Sequence, residues 1–439
     1  MLLRFRATNH KSLRDTTELV LTKSGFDAVR PRDGDWGAVT NQVVGLFGAN
    51  ASGKSTVLDA MSFATFVVRT SSSWSDREEI PHKPFLLDGA SSAQSSAYEF
   101  DFTVHGVRHV YGFELTAEGI ASEWLSNFPE GRRRLLFERT GPEPADISFS
   151  RNLKGENVRT ARLLGGKNLF LSVAAMANHP DLKRIHHQLS GHMVYADFSE
   201  GNQTRRIEAV KRWLEEERYV RQAHSLLRFA DLGITRVSLE ENELTPGMRL
   251  VVKRTLSALH EARGEELDEP AFTEFMEGQK KAIAFWHEAG GGAAPRKLDL
   301  VDESSGTVAW LALALPALRE IQYGGTLLVD ELDASLHPHL ASALISFFKS
   351  PEINPRGAQL VFTSHDTSLM GHLSGESLET DEVWFAEKGG DGVTDLYPLT
   401  DFPVKKDQNI ERRYLGGRYG AVPSLAWEEL RSTLVEIAS

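Results

Sequence analysis

Hydrophobic and polar positions follow two rhythms along this chain, and the change between them divides it. Leu2–Thr8, L-L-R-F-R-A-T, alternates with period two, as a strand with one buried face does. Residues 17–22 read the same way, and Val43–Phe47 is a short apolar run followed by glycine, which predicts a buried strand. Residues 54–68 change to helical character, while 71–75 and 90–97 are serine-rich and predicted as loops. Residues 98–104 and Val107–Leu115 alternate on either side of His105-Gly106, which predicts a hairpin.

From about residue 178 to 289 the composition turns helical. Segments 179–187, 204–227 and 246–264 are rich in Glu, Arg, Lys, Leu and Ala. The run R-R-I-E-A-V-K-R-W-L-E-E-E-R-Y-V-R-Q-A-H sets apolar residues near helical spacing among mixed charges, as a solvated amphipathic helix does. No heptad persists long enough for an extended coiled coil. G-G-G-A-A-P at 290–295 then returns the chain to alternation: a helix from Ser304, strand Thr326–Val329, helix 335–348 and strand 359–362. Strands alternating with helices predict a parallel sheet covered on both faces. The expectation is an α/β fold: an N-terminal lobe over 1–177, a helical insertion over 178–289, a C-terminal lobe over 290–400 and a tail over 401–439.

Composition narrows the class. With 439 residues, 41% hydrophobic and 25% charged, the chain has room for two or three domains of ordinary globular character. The longest apolar run, 308–318, is shorter than the ~20 residues that span a bilayer. The first residues, M-L-L-R-F-R, lack a secretory apolar segment, so a cytoplasmic location is expected. There are no cysteines, which excludes disulfides, a thiolate zinc site and a cysteine nucleophile. A net charge of −12 argues against a surface built throughout for nucleic acid, because such binding rests on neutralising phosphates. Local basic patches remain at Arg132-Arg133-Arg134 and in the tail.

The chemistry is concentrated in two places. Gly48-Ala49-Asn50-Ala51-Ser52-Gly53-Lys54-Ser55 satisfies G-x-x-x-x-G-K-[ST], with an apolar strand before it and a helical segment after it. Glycines let such a loop turn its N–H groups inward, and the helix N-terminus adds partial positive charge for phosphate. Lys54 is expected to reach the β- and γ-phosphates and the Ser55 hydroxyl to hold Mg²⁺. With Thr56 following, the candidate ATP-binding set is Gly48, Asn50, Ala51, Ser52, Gly53, Lys54, Ser55 and Thr56. The strand Thr326–Val329 ends in Asp330-Glu331, where Asp330 suits the Mg²⁺ shell and Glu331 suits polarisation of the attacking water.

A further motif, Glu303-Ser304-Ser305-Gly306-Thr307, precedes Asp330 by twenty-three residues counted from Thr307 (330 − 307). With it the chain resembles the ABC-type ATPase heads, in the SMC-like and OLD-like branch that has no membrane partner. The resemblance implies that Ser304 and Gly306 form a signature turn, which binds the γ-phosphate of ATP held by a second protomer. It therefore implies a head-to-tail dimer. Ser305 and Thr307 depart from the transporter pattern but suit this branch. Asp333-Ala334-Ser335-Leu336-His337 matches the D-loop region, with His337 where many members carry Asp. His365, thirty-four residues past Glu331 (365 − 331), sits where the family's switch histidine contacts the γ-phosphate. For the Q-loop, both Gln94 and His82 remain candidates.

Three further stretches, I-P-H-K-P-F-L-L-D from 80, L-R-F-A-D-L-G-I from 227 and R-Y-L-G-G-R-Y-G-A-V-P from 413, extend the resemblance over nearly the whole chain. They are similar to AbiL/RloA-like ATPases of prokaryotic abortive-infection systems. That resemblance implies an ATP-driven sensor or regulator paired with a separate RloB-type, nuclease-like partner. An SMC-like DNA-maintenance ATPase is the alternative, disfavoured by acidic charge and the missing coiled coil. A transporter's ATPase subunit fits less well, because its signature normally reads closer to Ser-Gly-Gly-Gln. Only 74 residues follow His365 (439 − 365), so no nuclease domain of its own is expected. The Arg- and Tyr-rich segment 412–419 reads either as a docking element or as a self-packing tail.

Overall fold

A computed structural model describes residues 1–23, 34–75, 79–230, 233–241, 280–289, 294–334, 336–371, 378–405, 408–423 and 427–438, with isolated positions between them. Two compact units emerge. The first comprises Met1–Tyr195, Glu320–Asp333 and Ala341–Ser439, and the second Ala196–Arg319 with Ala334–Leu340.

The described strands, in chain order, are β1 (Leu2–Thr8), β2 (Thr17–Val20), β3 (Val43–Phe47), β4 (Ser96–Val104), β5 (Val107–Leu115), β6 (Ile120–Asn127), β7 (Arg134–Arg139), β8 (Ile147–Phe149), β9 (Met193–Ala196), β10 (Ile234–Glu241), β11 (Lys281–His287), β12 (Arg296–Asp299), β13 (Thr326–Val329), β14 (Gln359–Thr363), β15 (Val383–Lys388) and β16 (Thr394–Pro398). The first unit holds two sheets. One is antiparallel, in the order β2-β1-β4-β5-β6-β7-β8. The other runs β16-β15-β3-β14-β13-β9, and within it β15, β3, β14 and β13 are parallel. The fold is α/β with a mixed, largely parallel sheet.

The helix Lys54–Thr70 explains how the sheets share a core. Its buried residues, Val57, Leu58, Ala60, Met61, Phe63, Ala64, Val67 and Val68 among them, go most of the way round its circumference. A helix apolar on so many sides is stable only when covered on more than one. One cluster accordingly joins it to Val44, Leu46, Leu328 and Val361 of the parallel sheet and to Phe100, Tyr111 and Phe113 of the antiparallel one.

A buried carboxylate ties the antiparallel sheet to a second helix. Glu123 on β6 accepts bonds from Tyr111 OH at 2.9 Å and from the N–H groups of Phe170 and Leu171 at 2.6 and 2.9 Å. Those two N–H groups open the helix Phe170–Met176, where donors lack intrahelical partners. Burial pushes the Glu123 carboxyl up, while Arg139, 3.9 Å away, and the three donors oppose it. Glu123→Ala leaves the three donors without their acceptor and the buried Arg139 without its counter-charge, so unfolding in urea should show a loss of ~3–5 kcal/mol. A loss below 1 kcal/mol would mean that water replaces the carboxylate.

The second unit carries the antiparallel sheet β10-β11-β12 and the helices Glu200–Trp213 and Glu217–Phe229. The expected segments and these units do not coincide. Helix Leu182–Ser190 falls in the first unit, and Ser304 and Gly306 in the second. Within 178–289 the strands β9, β10 and β11 stand where only helix was expected. The single helix expected over 204–227 is divided at 214–216. Most of 246–264 lies outside the described residues.

Candidate nucleotide-binding site

Parallel strands end on the same edge of a sheet, and here that edge gathers the motifs. β3 leads into Gly48–Ser55, β13 into Asp330 and Glu331, and β14, which lies between them, into Ser364 and His365. Three residues of the phosphate loop have positive φ: Gly48 at 151°, Ala51 at 60° and Gly53 at 104°. Both glycines are sterically required as well. A Cβ at Gly48 would collide with the Ala386 carbonyl oxygen, and one at Gly53 with the Thr394 hydroxyl.

Most of the loop's N–H donors are unspent among the described residues. The N–H groups of Asn50, Ala51, Gly53, Lys54 and Ser55 find no acceptor among the described residues. Ser52 Oγ is buried without a partner there too. Lys54 Nζ donates to the loop's own carbonyls, Gly48 O and Ala49 O, each at 2.9 Å. Burial pushes the Lys54 ammonium down to about 8, against the opposing charges of Asp330, Glu331 and Asp333. Concentrated N–H donors and a desolvated cation beside carboxylates fit a ligand with several anionic oxygens and a bridging divalent cation.

Thr363, at the end of β14, organises the carboxylates. Its hydroxyl donates to Asp330 Oδ1 at 2.7 Å and accepts the Glu331 N–H at 2.7 Å. Its carbonyl accepts the Leu332 N–H at 2.9 Å. Tyr195 OH reaches the other Asp330 oxygen at 3.4 Å. Glu331 has φ of 56°, a left-handed conformation for a non-glycine residue that costs on the order of 1–3 kcal/mol. Such a position persists only when its surroundings hold it, as Thr363 does here. Asp333 Oδ1 accepts from Ser364 Oγ at 2.7 Å and from the His365 N–H at 3.1 Å, and the His365 residue is exposed.

Residues 43–371, well over half of the chain, match the model of the family described as "AAA domain, putative AbiEii toxin, Type IV TA system". The chain belongs to this family. The match begins on β3, just ahead of the phosphate loop, and ends beyond His365, so it takes in the strand ends that carry the phosphate loop, Asp330, Glu331 and His365. No curated protein sequence matches the chain. Among the described residues, no helix is long and apolar enough to cross a membrane.

Ser304 and Gly306 lie in the second unit of this AAA-family chain. Ser304 caps the helix Ser305–Tyr323: its Oγ accepts the Thr307 N–H at 3.1 Å and contacts Thr307 Oγ1 at 2.8 Å. His287 on β11 holds Glu303, the residue before the cap, at 2.5 Å. His337 stacks on His339 with ring centroids 5.1 Å apart. Of the two Q-loop candidates, His82 Nε2 contacts Ser96 Oγ at 2.9 Å and the Gln94 residue is exposed. No described hydrogen bond ties either one to the phosphate loop.

In the tail, Tyr414 and Tyr419 are buried and stack on Phe385 of β15, at 5.2 and 5.7 Å between centroids. Tyr397 OH on β16 closes the contact by donating to Tyr419 O at 2.9 Å. These tyrosines pack on their own sheet, while Arg412 and Arg418 are exposed. Sequence reasoning did not single out Thr363, Tyr195, Ser12 or Thr394. Only Thr363 had a local signal, its place at a strand exit in T-S-H.

Proposed function

We propose that this AAA-family chain binds and hydrolyses ATP as an ABC-type, SMC/OLD-like head and gates a partner effector in anti-phage abortive infection. The observation that carries the ATPase reading is the shared sheet edge: unspent N–H donors and Lys54 at one strand end, Asp330 and Glu331 at another. In this reading the loop N–H groups and Lys54 bind the terminal phosphates. Ser55 and Asp330 would hold Mg²⁺, which neutralises phosphate charge when bound. Glu331 orients water and takes its proton. His365 hydrogen-bonds the γ-phosphate.

Ser304 and Gly306 complete the site of a second protomer, so two heads close head-to-tail around ATP. The Thr307 N–H is already committed to Ser304 Oγ, so the helix start at Ser304 keeps its remaining N–H groups for an anion. The effector role rests on the resemblance of the whole chain to AbiL/RloA-like ATPases and on the family's toxin-system description. Co-expression with the protein encoded beside it should give phage-dependent protection or toxicity that Lys54→Ala and Glu331→Gln both alter. Full protection by this chain alone would place the effector activity within it and overturn the gating reading.

A further inference from the structure

Behind the phosphate loop lie two hydroxyls, of Ser12 and Thr394, that the nucleotide reading does not use. Thr394 opens β16, which pairs antiparallel with β15 in the Lys388↔Thr394 register. It is 3% exposed. Its Oγ1 lies 2.9 Å from the carbonyl oxygen of Ser52 and 2.8 Å from Ser12 Oγ, and its N–H donates to Ser12 O at 2.8 Å. Ser12 Oγ in turn lies 3.3 Å from Thr56 Oγ1, on the first turn of the loop's helix.

A hydroxyl carries one proton, and a carbonyl oxygen can only accept. The Thr394 hydroxyl is the donor toward both Ser52 O and Ser12 Oγ, so its single proton serves the two, and Ser12 Oγ donates in turn to Thr56 Oγ1. The arrangement is directional: Ser12 holds Thr394 by accepting its N–H, and the Thr394 hydroxyl gives to the loop carbonyl.

What this bond does to the loop follows from peptide geometry. The Ser52–Gly53 peptide is planar and trans, so its C=O and N–H point in opposite directions. Holding the Ser52 carbonyl toward β16 turns the Gly53 N–H away from β16. Gly53, at φ of 104° and with no Cβ to resist rotation, is where a loop peptide can most readily flip. Thr394 also occupies the space a Cβ at Gly53 would need.

We propose that Thr394, oriented by Ser12, is a positioning residue that locks the Ser52–Gly53 peptide so that the Gly53 N–H is preset for a phosphate oxygen. The inference rests on the phosphate-loop reading and adds to it a support from a strand more than 300 residues away in sequence. A preset donor binds without first having to be ordered, which is the general advantage of preorganisation. Because the bond meets bound phosphate before and during reaction alike, its loss should weaken binding more than turnover.

The test compares the full-length wild type with Thr394→Val, which keeps the shape but removes the hydroxyl, and with Thr394→Ser, which keeps the hydroxyl. Binding of a fluorescent N-methylanthraniloyl ATP in magnesium buffer is titrated for all three, and kcat is measured at saturating ATP. Thr394→Val should bind about tenfold more weakly, the effect of ~1.4 kcal/mol, with kcat within about threefold of wild type. Thr394→Ser should match wild type.

Wild-type affinity in Thr394→Val would overturn the proposal. So would equal weakening in Thr394→Ser, which would assign the effect to the methyl group's packing. Crystal structures of nucleotide-free wild type and Thr394→Val give a second readout. The 52–53 peptide should be turned or multiply oriented in the variant, and an unchanged peptide would refute the lock. Should wild type fail to bind the ATP analogue at all, the nucleotide reading falls instead, and the crystal structures alone decide the lock.

Discussion

Glu331→Gln should lower ATP turnover by about 10²–10⁴-fold, the usual contribution of a positioned general base, while leaving ATP binding close to wild type. The amide has nearly the shape of the carboxylate and can still face water, but it cannot take up the proton that water must lose. The backbone supports the substitution: the Glu331 N–H is bonded to Thr363 Oγ1 at 2.7 Å, a contact independent of the side chain. Lys54→Ala should behave differently. It removes the one cation of the loop, buried and flanked by carboxylates, so phosphate binding itself should weaken and turnover fall with it. Equilibrium ATP binding and single-turnover hydrolysis separate the two variants. Wild-type turnover in Glu331→Gln would remove Glu331 from the chemistry.

Mixing two inactive variants should restore activity. In a head-to-tail dimer each site takes its phosphate loop from one protomer and its signature turn from the other. Lys54→Ala homodimers have two defective loops, and Ser304→Arg homodimers two defective turns, since the Ser304 hydroxyl that accepts the Thr307 N–H is lost. A hybrid dimer has one site with both halves intact and one with both broken. Random exchange makes half the dimers hybrids, so an equal mixture should recover about a quarter of wild-type ATPase, if the two-fold symmetry holds. A mixture no more active than its parents would argue that each chain completes its own site.

Much of the fold was legible because the signals are local. β1, β3 and β13 have the bounds that alternation or a short apolar run predicted, and the hairpin of β4 and β5 turns at His105-Gly106 as expected. The helix expected from 335 begins at Pro338, a residue whose fixed φ and missing N–H suit a first helical position. Less legible was the sheet β10-β11-β12. Its first two strands pair Ile234 with His287 and Glu241 with Lys281, across a long intervening segment, so no tight turn marks the pairing. Seven- and eight-residue strands set in a background rich in Glu, Lys, Leu and Ala are outweighed when composition is read over a wide window. The division at 214–216 left no trace either, since Leu214-Glu215-Glu216 contains neither glycine nor proline.

The candidate site divides the same way. The sequence alone located the phosphate loop, the carboxylates after β13 and the histidine after β14, because each motif is contiguous and can be read from its own residues. Gly48, Gly53 and Lys54 carry that information wherever the loop is placed. Tertiary structure alone decided what holds these parts in place. Thr363 bonds the Asp330 carboxylate and the Glu331 N–H, and Thr394 takes the Ser52 carbonyl from a strand that meets the loop only after the sheet has formed. A threonine hydroxyl has no sequence rhythm of its own. Its partner is chosen by strand order and register, which depend on which long-range faces bury one another and leave no local mark along the chain.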